Sequence, residues 1–362
     1  MKNFLIHFSR IFVGLVFLFS SFVKGVDPLG TAYQIEDYFT AFGMPWAHSL
    51  SLFLSISLST LEFLLGMALI LKLQMKKTAW AVLLMMDFFI ILTFYNAITD
   101  TVTDCACFGD AVKMSNWGTF FKNVILLFFT YIVFHFRKEI ISKRSDKNQW
   151  ISIIAIILIF VSFTTYQYRH LPMIDFRQWK VGADITPSEE GPDKYYVTYK
   201  NKQTGETKEY LSPDYPWDDE VWMSEWEFSH QRIEKWKRDK SYELVIEDFS
   251  GRDLTKPLLV NGGYRLIIVA RDLDEMDVDL FREFKETADY LSTKGYFIMG
   301  LTNSSIGDYA KFRSRTGFRY QFYQADEVIL KAMVRSNPGL ILVKDRKIID
   351  KWNFNDYPGI PE

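Results

Sequence analysis

Cysteine is scarce in this chain: 362 residues hold two, Cys105 and Cys107, with a single alanine between them. A fold stapled by disulfides spreads its cysteines to close long loops, and a Cys-x-Cys pair closes almost none, so a disulfide-stabilised scaffold is excluded. Positive charge is not in excess either, with 42 lysines and arginines against 44 acids. No basic stripe with interleaved aromatics occurs, which excludes nucleic acid as a partner. Histidine numbers five, none of them beside the cysteine pair, and no metal site is assigned. The pair itself leaves three readings: a redox couple, half of a shared metal site, or two idle thiols. An extended tripeptide separates its outer Cα atoms by at most about 7 Å and a turn brings them toward the ~5.5 Å a disulfide prefers, so the bond forms under strain. Strained disulfides are the readily reduced ones, and redox chemistry is the expectation carried forward.

What is abundant is apolar surface, and it is segregated. Aromatics make up 17% of the chain, yet the mean hydropathy is −0.02, because the first 170 residues are greasy and the rest are not. A helix of about 20 apolar residues crosses a bilayer, and the runs 4–23, 50–71, 78–98, 117–136 and 150–166 come near that length. The first lacks a small-x-small cleavage site and is followed closely by further spans, so it is read as retained, with Arg10 snorkelling to the surface. Lys2, the cluster Lys72, Lys76 and Lys77, and Arg137, Lys138, Lys143, Arg144 and Lys147 alternate with acidic loops. By the positive-inside rule the amino terminus is cytoplasmic, in the inner (cytoplasmic) membrane. Residues 25–49, the cysteine loop and everything after the fifth span then lie outside, where disulfides persist.

Two carboxylates fall inside the spans. Glu62 and Asp87 lie twelve and eleven residues from the outer ends of their runs, which at about 1.5 Å per residue is mid-membrane. Antiparallel neighbours would set them side by side. Two readings stand open, proton handling and hydrogen-bonded structural glue between helices. Lys24, Lys113 and Lys122 gather near the thiols on the outer rim, where Ser115 or Asn116 caps the fourth span. As thiolate-stabilising candidates Lys24 and Lys122 compete with plain surface anchoring. Trp46 and Trp117 fit an interfacial belt better than a cofactor-stacking role, which leaves Trp46 a weak cofactor contact.

Arg10, Gly14, Phe22-Val23-Lys24-Gly25-Val26-Asp27-Pro28-Leu29-Gly30, Glu36-Asp37-Tyr38-Phe39 and Gly43 together resemble the DoxX superfamily signature. Glu62 with Gly66, and 104–110 leading into Asn116-Trp117 and Lys122-Asn123, narrow the resemblance to the methylamine-utilisation MauE-like branch over about residues 4–136. The resemblance implies a four-helix membrane bundle comparable to quinone-linked disulfide formers, a quinone as cofactor, and a role in oxidative maturation of an extracytoplasmic protein partner. One departure matters: disulfide-forming bundles pair a Cys-x-x-Cys with a second, shuttling pair, and here one Cys-x-Cys stands alone.

The polar half divides in two. From 169 to 241 Pro and Trp are frequent; 195–199 and 207–211 alternate around Lys202-Gln203-Thr204-Gly205, a hairpin signal, whereas 217–236 reads equally as helix or wrapped aromatic segment. From 242 to 362 short buried strands at 244–246, 266–269, 296–299 and 340–343 flank a helical spacing over 279–294. This resembles a thioredoxin-like α/β domain, with Pro338 as its cis-proline candidate. Where such domains carry cysteines this chain reads Val269-Ala270-Arg271-Asp272-Leu273-Asp274, so disulfide relay by that unit is excluded. The expected organisation is a four-span bundle over 1–147, a fifth span over 148–168, a connector over 169–241 and the α/β unit over 242–362. Two functions follow from it: a membrane thiol-disulfide oxidoreductase working through Cys105 and Cys107, or a non-enzymatic scaffold presenting a binding domain.

Overall fold

The computed structural model describes residues 1–102, 109–112, 114–185, 194–234, 244–260, 262–274, 276 and 278–356. The greasy half folds into α1 (Lys2–Val26), α2 (Pro28–Ala41), α3 (Ser51–Leu71, led in by a 3-10 turn at Pro45–Leu50), α4 (Met75–Thr99), α5 (Asn116–His135) and α6 (Asp146–Arg169). All but α2 are long and apolar enough to cross a membrane, and each expected span falls almost entirely within one of them. The ends obey side-chain chemistry. Ser115 and Ser145 cap α5 and α6 by accepting from the backbone N–H groups of Gly118 and Asn148, and Asp27 caps α2 with Pro28 in its first turn.

Helix α1 packs along α3 and α5, α4 along α5, and α6 against α3. Lipid tails are as apolar as leucine, so helices associate in a membrane by close packing and polar contacts. Both occur here. Gly14 and Gly66 let the α1 and α3 backbones meet: a Cβ on Gly66 would lie 2.9 Å from the carbonyl oxygen of Gly14. Val13, Phe17, Leu65, Leu69, Met86, Leu126 and Val133 fill the centre, while Phe53, Leu84, Ile91, Phe128 and Leu158 face outward. Arg10 corrects the snorkelling expectation. It is buried and donates through Nη1 to the carbonyls of Leu69 and Ile70, satisfying the last turn of α3.

The polar half contains two sheets among the described residues. Strands β1 (Lys194–Asn201) and β2 (Thr207–Leu211) form the expected hairpin; after the short helix α7 (Glu220–Glu225), β3 (Trp226–Glu234) pairs antiparallel with the other side of β1. The ambiguous aromatic stretch is thus part helix, part strand. Next come α8 (Thr255–Leu259), β4 (Tyr264–Val269), α9 (Val278–Thr293), β5 (Phe297–Thr302), α10 (Ile306–Thr316), β6 (Phe322–Gln324), α11 (Glu327–Met333), β7 (Gly339–Lys344) and β8 (Lys347–Asn353). The second sheet runs β6-β5-β4-β7-β8, parallel from β6 to β4 and antiparallel through β7 and β8. Residues 244–246 form no strand, contrary to expectation; Ile246 is instead a buried plug, its N–H donating to Thr255 Oγ1.

Alternation along β4 assigns its neighbours to two layers. Leu266 and Ile268 face α9 and α10 with Phe281, Phe284, Phe312 and Phe318, whereas Ile267 and Val269 face α8 and α11 with Leu259, Ile329, Leu330 and Met333. Trp179 and Ile185, from the stretch read as connector, complete that second layer.

Candidate functional site

The interior of the bundle holds a buried ion pair. Lys24, in the last turn of α1, donates through Nζ to Glu62 Oε1 at 2.5 Å, and the Ser20 hydroxyl donates to Glu62 Oε2 at 2.9 Å. Ser20 and Lys24 stand four residues apart, one above the other on α1, and so bracket one carboxylate of α3. Lys122 and Asn123 of α5 line the same small cavity of about 20 Å³, room for about one water. Asn123 also donates to Thr93 of α4 at 3.3 Å, so four helices meet around this polar core.

Asp87 is not part of it. Its side chain is exposed on the outer surface of α4, so the two membrane acids do not sit side by side; Lys24 takes the place expected of Asp87. Lys24 is correspondingly no surface anchor, being 6% exposed.

Cys105 and Cys107 lie outside the described residues, as does Lys113, but both roots of their loop are fixed. Before it, Asn96 of α4 accepts from the Val102 N–H and donates to the Val102 carbonyl, both at 2.9 Å, and also donates to Asn116 Oδ1 at 2.9 Å. Asn116 in turn donates to Asp100 at 2.6 Å. After the loop, Gly109 takes φ +51° and rests on Val23, which a Cβ there would approach to 3.0 Å. Val23 precedes Lys24 in the chain, so the loop rejoins the bundle at the last turn of α1. Nothing in composition or spacing marked Asn96 or Ser20; Asn116 was visible as a cap candidate and within the family resemblance, not as a root of the cysteine loop.

A cavity of about 490 Å³ opens between α2, α3 and α4. Ile35, Phe39, Leu58, Leu61, Phe89 and Leu92 wall it, Thr31, Gln34 and Thr93 add polar atoms, and Lys24 is the charged residue among those described. Lys24 thus touches the large cavity on one side and Glu62 on the other. Trp46 is 75% exposed and lies apart from the lining.

Above the bundle, α2 carries the α/β unit. Arg335 grips Asp27 from Nε and Nη2 at 2.9 Å, and Arg271 donates to the Tyr33 hydroxyl at 2.7 Å. The segment leaving α6 adds Arg177, which pairs with Asp175 at 2.8 Å and donates to the Ala332 carbonyl at 3.0 Å, and Lys351 of β8 pairs with Asp175 at 2.9 Å. Burial pushes the Asp27 carboxyl up, but Arg335, Arg177 and the Gly30 N–H outweigh it and hold the pKa below the usual range. Asp175 is likewise held down against its burial, by Arg177 and Lys351. Burial and the neighbouring Arg177 bring Lys351 down to about 8 in spite of Asp175. Asn337–Pro338 is cis, and the Asn337 amide donates to the Asp272 carbonyl at 3.4 Å, beside the stretch that carries no cysteine.

Residues 2–136 match the family model for methylamine utilisation protein MauE, so the first four spans form a MauE-like membrane region. No curated protein and no solved structure matches the chain.

Proposed function

We propose that the chain is a membrane thiol-disulfide redox protein in which Cys105 and Cys107 cycle between dithiol and disulfide at the outer face of an inner membrane and support oxidative maturation of an extracytoplasmic partner. One observation carries this reading: Gly109, two residues after Cys107, rests on Val23, the chain neighbour of Lys24, and Lys24 joins a buried carboxylate to a large apolar cavity. At about 490 Å³, walled by aliphatic and aromatic side chains with a few polar groups, the cavity suits a lipophilic ring system such as a quinone. Held there, a quinone would supply the oxidant for the couple, taking up the two electrons and two protons that Cys105 and Cys107 give up in forming their disulfide. Lys24, on the cavity wall, would be the residue to hold such a group by its oxygen, and Glu62, itself accepting from Ser20, keeps the ammonium in position. The α/β unit, read from its sequence as thioredoxin-like but without a thiol, contributes binding rather than electron relay.

A scaffold reading has its own support, since a cysteine-free α/β unit is what an assembly factor would carry. Detergent-purified protein decides between them. The redox reading expects a lipid-extractable quinone, a Cys105–Cys107 bond that labels with maleimide only after reduction, and loss of function in the Cys105→Ser, Cys107→Ser double variant. Full labelling without reduction, together with a double variant that behaves as wild type, leaves the scaffold.

A further inference from the structure

Asp87, the second membrane acid, takes no part in the polar core, yet it stands at the depth where a charge is most costly. It lies twelve residues from either end of α4, about 18 Å at 1.5 Å per residue, with its side chain exposed toward lipid. Ionisable side chains at mid-membrane face a bundle interior or pair with another polar group. No described residue of the chain does this for Asp87, and among the described residues no other exposed side chain in the middle third of a span is charged. A partner then has to come from outside the chain's own bundle.

The surface around Asp87 is built for a helix. Trp80, Leu84, Asp87, Ile91, Phe94 and Ile98 recur at alternating steps of four and three residues, the seam spacing of two helices packed side by side, and all six are exposed. The opposite seam, Val82, Met85, Met86, Thr93 and Asn96, is already buried in the bundle. On the flank of the exposed stripe, Phe134 and Phe120 of α5 pack against Trp80 and Phe94, with ring centres 4.6 and 5.3 Å apart. Helix α6, the span outside the four-helix core, lies against α1 and α3 and leaves this face open.

Symmetry selects the occupant. Copies of one chain insert in the same direction, so a two-fold axis along the membrane normal brings each stripe residue against its own counterpart at one depth. Apolar positions then meet apolar ones and Asp87 meets Asp87, where two carboxyls that share a proton form the hydrogen bond neither finds in lipid. A single polar position in an otherwise apolar seam also fixes register and oligomeric state. We propose that the α4 stripe is the interface of a homodimer within the membrane, closed by an Asp87–Asp87 carboxyl pair. The dimer does not depend on the redox reading.

Disulfide trapping in native membranes and subunit counting in liposomes test it, both on the full chain. In a Cys105→Ser, Cys107→Ser background, Leu84→Cys and Ile91→Cys should cross-link to dimers under a mild oxidant, and Leu158→Cys, exposed on α6, should not. Photobleaching of tagged protein at graded dilution should show dimers that Asp87→Leu weakens about tenfold, or ~1.4 kcal/mol, within the range polar contacts contribute between helices in lipid. Asp87→Asn, which still hydrogen-bonds to its counterpart, should stay nearer wild type. Neither change should lower the unfolding midpoint of detergent-solubilised monomer, because Asp87 is exposed on its own bundle; a midpoint that falls assigns the acid to the fold instead. Monomers at every dilution, or cross-linking at Leu158→Cys as strong as at Leu84→Cys, overturn the interface. Dimers as tight with Asp87→Leu as without it overturn the carboxyl pair, and trapping of Leu84→Cys on a different protein shows that the stripe seats another chain rather than a second copy.

Discussion

At the scale of single residues the informative group is the Lys24–Glu62 pair. Both side chains are under 10% exposed, so removing one partner strands a charge in the bundle, typically at about 3–5 kcal/mol, whereas removing both costs much less. Glu62→Gln should therefore lower the unfolding midpoint of detergent-solubilised protein, and adding Lys24→Met should restore much of it. If the pair orients an acceptor, the double variant recovers stability but not turnover; recovery of both would make the pair purely structural. Glu62 stood out in the sequence by its depth, because an acid so far from either membrane surface is costly. Depth is only one of two coordinates, though. Asp87 shares it but lies about 100° round α4 from the buried Met86, and that turn carries it out of the core. Lys24 passed for a rim residue because its stem reaches inward from the end of α1. Asn96, which fixes one root of the cysteine loop, had no signal beyond being polar near a span's end.

Among elements, the α1–α3 crossing sets the site, since it holds Ser20 and Lys24 against Glu62. A methyl on Gly66 would meet the Gly14 carbonyl at 2.9 Å and Leu18 at 3.0 Å; a backbone atom cannot step aside, so the helices must part. Gly66→Ala should cost about 1–3 kcal/mol by overpacking, read as a lower thermal midpoint. It should also weaken the Arg10 bonds to the end of α3, whereas Gly43→Ala, with nothing within 4 Å of the added methyl, should leave the crossing intact. The five spans were legible because long apolar runs have one good solution in lipid. Helix α2 was missed although Asp27-Pro28 is a fair start signal, because residues 25–49 were read only as an outer loop between spans. Strand β3 was missed because its aromatics follow directly on the short helix α7, and 244–246 was misread because a short apolar run does not distinguish a strand from a buried plug.

For the whole molecule two expectations concern how its halves are arranged across and above the membrane. If the basic loops are cytoplasmic, an alkaline phosphatase fusion after Arg177 is active and one at Lys76 is not; the reverse result would put the cysteine loop in a reducing compartment and remove the redox reading. The ionic cluster joining the α6 exit to β8 makes stability depend on pH in a stated direction. Asp27 and Asp175 are held below their ordinary 3.8, so their contribution is complete above that value and is lost as pH falls through their folded pKa values. Lys351 works the other way round. Its folded pKa is about 8 against 10.5 unfolded, so below 8 both states carry the proton and the burial penalty is constant. Between about 8 and 10.5 the unfolded chain holds more protons, and stability rises with pH. The denaturation midpoint of the full chain should then fall in acid and climb above pH 8, and Lys351→Met should abolish the climb while leaving the acid limb. A climb that persists in Lys351→Met assigns it to another group and leaves this lysine an ordinary charged partner of Asp175.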